Sequence, residues 1–366
     1  MKRLLCIVGG MNAGGAETFL MKMYRALDKN KYQMDFAVAT DGIYDKEIMN
    51  LGGLIFKITP KSYGALKNFN DIRKIVSKNH YKAVLRVSQN SLSALELFAA
   101  QLGGAKIRGY RSSNSSTVGG TTKEIAVHKL CMWMPRLFAN VRFAPSTEAA
   151  EYMFGKGCIQ TGVASLLHNG LDTDVYRFSE DDRKEIRRQF GLDDSFVIGH
   201  VGRFNQQKNH GFLIECFGEL KRKKDNAKLI LCGTGEKEKE IQDKVEKLGL
   251  KDSVLFLGVR SDVPRILSAM DVFVFPSLYE GMPNTVIEAQ STGLPCVISD
   301  SITKEAAITD LVAYCGLEET VDKWVDTILR LEGEKINRES AYQDLYRSGY
   351  DLNSCVKMFT KTVFGG

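Results

Sequence analysis

The sequence lacks the features that mark several protein classes. Only 7 of its 366 residues are proline, and no low-complexity tract is present, which excludes a collagen-like, disordered or repeat protein. No apolar stretch approaches the roughly 20 residues of a membrane-spanning helix. The start, Lys2–Arg3 before Leu4–Val8, resembles a signal peptide, but Gly9–Gly10 and Glu17 interrupt the pattern. We therefore expect a protein that is not exported.

Residues that bind metals or carry out redox chemistry are scattered. The 8 cysteines have no C-x-x-C unit and lie mostly in apolar runs, as expected for buried thiols in a reducing compartment. None of the 5 histidines falls at metal-ligand spacing, and no H-E-x-x-H or nucleophile elbow occurs. Asp172–Thr173–Asp174 imitates a manganese-binding D-x-D, but it lies in a polar turn, which favours a hinge. We expect no metal site and no cofactor.

Charge is unevenly distributed along the chain. The 50 Lys and Arg exceed the 44 Asp and Glu by 6, and residues 1–177 hold 24 basic against 13 acidic side chains. A basic half followed by a near-neutral half suggests two domains with different partners. Nucleic acid, an anionic membrane surface and phosphate-bearing substrates all remain compatible with this balance.

Apolar segments alternate between the strand and the helix period. Leu4–Val8 is typical of a buried strand and Ala16–Leu27 of a helix, and the pattern restarts at Phe196–Val201 after a turn cluster at His168–Asn169–Gly170. Such alternation predicts parallel sheets covered by helices on both faces. We therefore predict an α/β protein with two doubly wound domains facing across a cleft, where ligands bind at the strands' carboxyl ends.

A glycine-rich turn joins the first strand to the first helix. Glycine allows close approach of the backbone to a ligand, and a helix N-terminus offers N–H groups to anions. The turn is not a phosphate loop, because Gly14 is followed by Gly15 and Ala16 where Lys and Ser or Thr would be required. The G-x-G-x-x-G pattern of dinucleotide-binding proteins is also absent. A plain tight turn is the alternative.

Two groups of polar residues follow strands in the second half. Arg203 and Lys208 follow Phe196–Val201, where two cations could neutralise a diphosphate without a metal; a solvated pair of loop charges is the alternative. Glu280 follows the strand Val272–Phe275, and a helix capped at Asn284 or Thr285 would carry Glu288 within reach of a ribose.

The segment Lys123–Arg142 combines apolar residues, including Trp133 and Met134, with the basic residues Lys129 and Arg136. This composition predicts a basic helix. Such a helix either rests on an anionic membrane surface or packs against the sheet.

In their order and spacing, these motifs resemble the family 4 glycosyltransferases, which are retaining enzymes with the GT-B fold; the likeness is to the type that builds bacterial polysaccharides. The resemblance covers nearly the whole chain and is carried by Gly14–Gly15–Ala16–Glu17, Asn169–Gly170–Leu171–Asp172, His200–Val201–Gly202–Arg203–Phe204, Gln207–Lys208–Asn209–His210, Gly233–Thr234–Gly235, Leu257–Gly258, and Glu280–Gly281–Met282–Pro283–Asn284 through Glu288–Ala289.

The resemblance implies a division of labour between two Rossmann-like domains. Residues 1–168 would bind the acceptor, residues 169–345 would bind the nucleotide sugar, and residues 346–366 would form a helix that crosses back onto the first domain. Arg203, Lys208 and Glu280 would be catalytic. The implied donor-binding residues are Gly14, Gly15, Gly202, Arg203, Lys208, Val259, Arg260, Glu280, Gly281, Met282, Pro283, Asn284, Thr285 and Glu288.

The chain departs from the family at the acceptor side. Many relatives carry histidines in a segment like R-I-x-H-S-H-N, whereas the corresponding segment here is 108–114, with Arg111 and Ser113 at the histidine positions. This puts any histidine-based contact in doubt. The acceptor contacts expected instead are Glu17, Arg111, Ser113 and Asn114.

The resemblance implies metal-independent transfer of a hexosyl or N-acetylhexosaminyl group. The donor would be a nucleotide diphosphate sugar, most often UDP-linked, and the acceptor a lipid-linked oligosaccharide or polysaccharide in capsule, exopolysaccharide or O-antigen synthesis. The enzyme would be cytoplasmic, at the inner face of the membrane. Two alternatives remain: a nucleotide-sugar epimerase, which needs an acid–base pair that is not evident, and a nucleic-acid binder, for which no aromatic-rich motif occurs.

Overall fold

The structure, a computed structural model, describes residues 1–12, 14–113, 122–332 and 337–365. The chain forms two compact units. The first combines Met1–Gly170 with Gly349–Gly366, and the second is Leu171–Ser348. Asn114, an expected acceptor contact, lies outside the described residues.

The strands of the described residues are, in chain order, β1 (Lys2–Val8), β2 (Tyr32–Val38), β3 (Ile55–Lys57), β4 (Ala83–Ser88), β5 (Ile107–Ser112), β6 (Val141–Ala144), β7 (Ser165–Leu166), β8 (Phe196–Val201), β9 (Ala227–Cys232), β10 (Val254–Phe256), β11 (Val272–Phe275), β12 (Cys296–Ser299) and β13 (Val312–Cys315).

The α-helices are α1 (Gly15–Ala26), α2 (Asp45–Asn50), α3 (Ala65–Lys78), α4 (Leu95–Leu102), α5 (Thr122–Cys131), α6 (Trp133–Phe138), α7 (Thr147–Phe154), α8 (Glu180–Phe190), α9 (His210–Lys223), α10 (Glu238–Lys247), α11 (Val263–Ala269), α12 (Asn284–Ser291), α13 (Val321–Glu332), α14 (Tyr342–Arg347) and α15 (Leu352–Val363). Short 3₁₀ helices span Ser91–Ala94, Lys251–Ser253, Lys304–Ala306 and Arg338–Ser340.

The first unit is built on a parallel sheet with strand order β3-β2-β1-β4-β5-β6-β7. Its central strand β1 is apolar on both faces, as helices covering both sides require. Leu4, Cys6 and Val8 face one core and Leu5 and Ile7 the other, because successive strand side chains alternate.

The C-terminal helix α15 belongs to the first unit although it follows the second in sequence. Cys355, Phe359 and Val363 recur at intervals of four residues and are buried in the same core as β1. The Phe359 ring packs edge-on against Phe19 of α1, with ring centroids 6.4 Å apart. The helix therefore completes one face of the first sheet.

The second unit repeats the architecture with strand order β10-β9-β8-β11-β12-β13, again parallel throughout. A polar cluster joins its elements: Arg183 and Arg187 of α8 pair with the Asp271 carboxylate at 2.5 and 2.6 Å, and Asp271 also accepts the Val197 N–H at 2.7 Å. This carboxylate fixes α8 to the amino ends of β8 and β11.

The two sheets confirm the predicted fold class, two doubly wound domains with a terminal helix returning to the first. All eight cysteines are free and buried, as predicted. The Asp172 carboxylate accepts the Val175 N–H, as in a polar turn. No helix in the described part of the chain is both long and apolar enough to cross a membrane.

The prediction of one helix over Lys123–Arg142 is wrong. α5 ends at Cys131, α6 begins at Trp133, and Arg142 lies in β6. Pro135 explains the break: a proline ring clashes with the carbonyl four residues earlier, and that residue is Cys131.

Candidate active site

The second sheet reverses its strand order between β8 and β11. In doubly wound sheets, ligands bind at such a switch point, beyond the carboxyl ends of the strands. Two loops start there, 202–209 after β8 and 276–283 after β11. Backbone and side-chain bonds join them: the Leu278 N–H donates to Gln207 O at 2.8 Å, and Gln207 Nε2 donates to Tyr279 O at 2.9 Å.

Each loop contributes one member of an ion pair. Lys208 Nζ lies 2.5 Å from Glu280 Oε1, and the side chains are only 16% and 10% exposed. The ammonium also lies 4.5 Å from the centroid of the Phe275 ring. Partial burial strengthens this pair relative to an exposed one. The structure thus brings together two of the three residues predicted to be catalytic.

The third predicted residue, Arg203, is exposed on the loop after β8 and pairs with no carboxylate among the described residues. Its loop is held by the loop after β9: the N–H of Gly202 donates to Cys232 O, and that of Phe204 to Thr234 O, at 2.9 and 3.0 Å. A methyl group at Gly233 would collide with the Gly202 carbonyl. The Gly233–Thr234–Gly235 motif therefore permits the close packing of these loops.

Helix α12 begins beside Glu280 with an N-terminus that Pro283, its N-cap residue, does not cap by a side chain. The positive end of the helix dipole favours an anion at this point. Glu288, one turn into α12, is half-buried and hydrogen-bonded by the Tyr176 hydroxyl. Burial and the Glu288 carboxylate raise the pKa of Tyr176, so this hydroxyl stays protonated.

The loop after β10 lies on the neighbouring side of the same sheet edge. Val259 is 79% exposed. Arg260 is held by a bidentate ion pair with Asp262, with N–O distances of 2.8 and 2.7 Å. The Gly258 carbonyl accepts the Gly233 N–H at 2.8 Å, so the loops after β8, β9 and β10 are linked in series.

Two histidines that the sequence treats as structural lie directly beneath these loops. His200 Nδ1 lies 2.9 Å from Val274 O, whereas its buried Nε2 has no partner among the described residues. His210 stacks on Phe204 with centroids 4.2 Å apart, and neither of its ring nitrogens has a described partner. Burial, together with the charge of Lys208, lowers the pKa of His210 to about 4.

The same causes lower the pKa of His200, burial being the largest and the neighbouring His210 the next. Both rings are therefore neutral at pH 7 and add no charge beneath Lys208. In the sequence, only their positions in the family motifs single them out: His200 begins the motif that ends at Phe204, and His210 ends the motif that begins at Gln207.

The glycine turn of the first unit precedes α1. Gly14 is the N-cap residue, and the Glu17 side chain folds over it so closely that a methyl group at Gly14 would collide with the carboxylate. Gly15 is exposed, and a methyl group there would meet nothing within 4 Å. Gly15 therefore borders open space, whereas Gly14 packs against its own helix.

The expected acceptor residue Arg111 is 1% exposed. Its guanidinium donates to Asn169 Oδ1 at 2.7 Å and to Leu167 O at 3.3 Å, and it lies 3.6 Å from the centroid of the Phe19 ring. Burial lowers its pKa to about 9. These contacts support a structural role within the first unit. An acceptor contact by this side chain has no support, because the guanidinium is not at the surface.

Ser113, the other histidine replacement, is half-buried, and its N–H donates to Ser88 O at 3.2 Å. Within the described ranges, no three His, Cys, Asp or Glu side chains come together as a metal site would require.

Comparisons with known proteins agree with this geometry. A family model described as "Glycosyl transferases group 1" matches residues 182–347. The putative glycosyltransferase EpsF of Bacillus subtilis is 33% identical over 363 residues, which cover 97% of this chain and 94% of EpsF. An Escherichia coli UDP-Gal:alpha-D-GlcNAc-diphosphoundecaprenol alpha-1,3-galactosyltransferase is 32% identical over 47% of this chain and 46% of its own length.

Solved structures share the fold. The crystal structure of Anabaena Alr3699/HepE in complex with UDP has a TM-score of 0.80 at 19% identity and covers 100% of both chains. The same protein has been solved with UDP-glucose.

Two doubly wound sheets, with polar loops at the switch point of the second, are the architecture that this chain shares with GT-B glycosyltransferases. The chain belongs to the group 1 glycosyltransferase family, since it matches a family member at 33% identity over nearly its whole length. The predicted recognition as a GT-B glycosyltransferase is thereby confirmed. The relatives named above are transferases, and they lend no support to the epimerase alternative.

Proposed function

We propose that this enzyme transfers a hexosyl or N-acetylhexosaminyl group from a UDP-sugar to a lipid-linked or polysaccharide acceptor, with retention. The donor class is supported by the UDP and UDP-glucose complexes of HepE. The acceptor class is supported by the E. coli relative, whose name specifies a diphosphoundecaprenol-linked sugar. We place the reaction in capsule, exopolysaccharide or O-antigen synthesis, at the cytoplasmic face of a membrane.

The ion pair of Lys208 with Glu280, at the switch point of the second sheet, is the observation that carries the proposal. Cleavage of a sugar–phosphate bond places negative charge on the departing diphosphate. Lys208 and the exposed Arg203 stabilise that charge, and the N-terminus of α12 adds its dipole. Glu280, held beside Lys208, accepts hydrogen bonds from hydroxyl groups of the donor sugar and so orients the anomeric carbon.

The remaining donor contacts of the proposal are those that the family resemblance implies. Glu288 accepts hydrogen bonds from the ribose hydroxyls. Val259, which is exposed on its loop, and the backbone of Arg260 contact the base. Gly281, Met282, Asn284 and Thr285 offer backbone N–H groups to the donor. Gly202, whose N–H donates to Cys232 O, and Pro283, which has no N–H, contact the donor through other atoms. Gly14 and Gly15 of the turn before α1, where open space borders Gly15, stay predicted donor contacts, and Glu17, Ser113 and Asn114 stay predicted acceptor contacts.

No metal is required in this mechanism, because two cationic side chains neutralise the diphosphate. The acceptor attacks the same face from which the diphosphate leaves, and the leaving phosphate takes the acceptor's proton. Activity should therefore survive EDTA. A strict requirement for added Mg²⁺ or Mn²⁺ would refute this part of the proposal.

The test measures UDP release from UDP-glucose, UDP-galactose and UDP-N-acetylglucosamine with a soluble diphosphate-linked N-acetylglucosamine acceptor. We expect Lys208→Ala and Glu280→Gln each to lower kcat/KM about 10²–10³-fold, as loss of transition-state charge stabilisation does. The matched control is Lys237→Ala, which breaks the exposed pair with Glu240 and should leave kcat/KM unchanged.

Circular dichroism and thermal melts of each variant establish that the fold survives. UDP should raise the melting temperature of the wild type, since a ligand that binds only the native state stabilises it. Full activity in folded Lys208→Ala or Glu280→Gln would refute the proposed catalytic role of this ion pair.

A further inference from the structure

Helices α5 and α6 carry large apolar side chains on their outer surface. Leu130, Trp133 and Leu137 are 76%, 53% and 62% exposed. Their spacing of three and four residues places them on one face of a helix. The junction preserves this phase, because Met132 keeps helical backbone angles, with φ −57° and ψ −22°. The two short helices thus present one continuous exposed stripe.

The charges on this stripe have one sign. Lys129 and Arg136 are exposed at positions that alternate with the apolar side chains. From Ile125 to Thr147 the sequence contains no Asp or Glu. An apolar stripe flanked along its own helices by Lys129 and Arg136 matches the composition of helices that lie in the interface of an anionic membrane.

A row of half-buried aromatic rings connects the stripe to two further helices. Trp133 contacts Phe138 at a centroid distance of 6.2 Å, Phe138 stacks on Phe98 of α4 at 4.9 Å, and Phe98 contacts Phe69 of α3 at 5.8 Å. One turn before Phe69, Leu66 is 82% exposed. Phe69, Phe98 and Phe138 are half-buried, so the exposed apolar side chains lie at the two ends of this row. Exposed apolar side chains that cluster, as Leu130, Trp133 and Leu137 do, are typical of an interaction site.

The stripe lies next to the ligand edge of the first sheet. That sheet reverses its strand order between β1 and β4, which places its binding edge at their carboxyl ends. Ser91, just after β4, donates its hydroxyl to His128 O of α5 at 2.8 Å, and its N–H donates to His128 Nδ1 at 3.3 Å. Helix α5 is thereby anchored beside the edge where, on the proposed function, the acceptor binds.

We propose that this stripe (Lys129, Leu130, Trp133, Arg136 and Leu137) docks the first unit onto an anionic lipid surface. The three apolar side chains enter the interface between headgroups and acyl chains, and the two cations meet anionic headgroups. The inference deepens the proposed function and rests on it for the lipid-linked acceptor. A second copy of the chain fits the stripe less well, because a two-fold interface would bring the same basic residues face to face.

The tryptophans supply a direct measurement. The sequence has two; Trp324 is fully buried and Trp133 is 53% exposed. Titration of the full-length protein with phosphatidylcholine vesicles containing phosphatidylglycerol should shift the Trp133 emission to the blue and sediment the protein with the vesicles. Trp133→Phe should abolish most of the shift. Binding should weaken in pure phosphatidylcholine and at high salt.

Two double variants separate the apolar from the charged contribution. Leu130→Ser with Leu137→Ser, and Lys129→Glu with Arg136→Glu, should each weaken vesicle partitioning at least tenfold, since one basic residue near an anionic surface contributes about fivefold. The matched controls lie in the second unit: Leu248→Ser with Tyr346→Ser, at positions 48% and 59% exposed, and Arg188→Glu with Lys247→Glu, also exposed. Both controls should bind vesicles as the wild type does.

Absence of binding to anionic vesicles, or equal binding by stripe and control variants, would overturn the proposal. So would a blue-shifted Trp133 without vesicles that coincides with dimers in analytical ultracentrifugation, since a second copy would then cover the stripe. The stripe variants should release UDP normally with the soluble acceptor, whereas Glu280→Gln should lose transfer but bind vesicles. Failure of docking and failure of the proposed function are therefore distinguishable.

Discussion

At the scale of single residues, the second unit buries uncharged polar groups beneath a charged site. His200 and His210 are 0% and 2% exposed, their ring centroids lie 4.7 Å apart, and Lys208 lies close enough to lower the pKa of both. Neutral rings fill this space without adding positive charge beside the ammonium. The arrangement leaves Lys208 with Glu280 as its charged partner.

This burial makes stability depend on pH. The pKa of His210 falls from about 6.5 in the unfolded chain to about 4 in the folded chain. Between these values the unfolded state binds a proton that the folded state does not, so stability falls as the pH falls from about 6.5 towards 4. His210→Phe, which keeps the stack on Phe204, should remove about 2 kcal/mol of the stability difference between pH 7.5 and pH 5, measured by urea denaturation.

His80 provides the control, because it is exposed and adopts φ 55°. His80→Asn, which tolerates that backbone conformation, should leave the pH dependence unchanged. An identical pH dependence in His210→Phe and the wild type would show that His210 is not held neutral by burial.

At the scale of elements, α15 packs in the first unit although it is the last helix in the sequence. Its buried face contributes Cys355, Phe359, Val363 and the following Phe364 to the core around β1. We expect Phe359→Ala to destabilise the first unit by about 3–5 kcal/mol, because it removes a fully buried aromatic ring and leaves a cavity. Urea denaturation followed by circular dichroism measures the loss.

Met358 is the matched control on the same helix, since it is 38% exposed and adjacent to Phe359. Met358→Ala should cost less than about 1 kcal/mol. If both substitutions cost the same, α15 does not pack through the face that contains Phe359.

The predicted elements were most accurate where the apolar pattern was strongest. The strands Phe196–Val201 and Val272–Phe275 have the bounds that the sequence predicts, because buried parallel strands are short uninterrupted apolar runs. The prediction of one helix over Lys123–Arg142 was wrong because it rested on the apolar content of the segment and did not take account of Pro135.

At the scale of the whole molecule, the charge asymmetry is larger between the structural units than between the sequence halves. The first unit holds 25 Lys and Arg against 12 Asp and Glu, and the second holds 25 against 32. Long-range charge of this kind attracts anionic partners to the first unit. This net charge contributes to the binding of partners. The cations predicted to take part in catalysis, Arg203 and Lys208, lie in the acidic second unit.

The units should also differ in their ability to fold alone. The second unit is one continuous segment with its own two cores, so a chain of residues 171–348 should unfold cooperatively in a thermal melt. Residues 1–170 alone should not, because they lack the part of their core that α15 supplies.

A chain that joins 1–170 to 349–366 by a short Gly/Ser linker should recover cooperative unfolding. A short linker suffices, because Gly170 lies against Leu352 and Cys355. Cooperative unfolding of residues 1–170 without α15 would contradict the assignment of that helix to the first core.

The sequence alone determined the fold class and the family, since strand periodicity and motif spacing are local properties of the chain. It could not determine which polar residues meet. Lys208 and Glu280 are 72 positions apart, and only the parallel pairing of β8 with β11 brings their loops together. The burial of Arg111 and the exposure of Leu130, Trp133 and Leu137 were likewise decided by tertiary packing, because exposure depends on which neighbours cover a side chain.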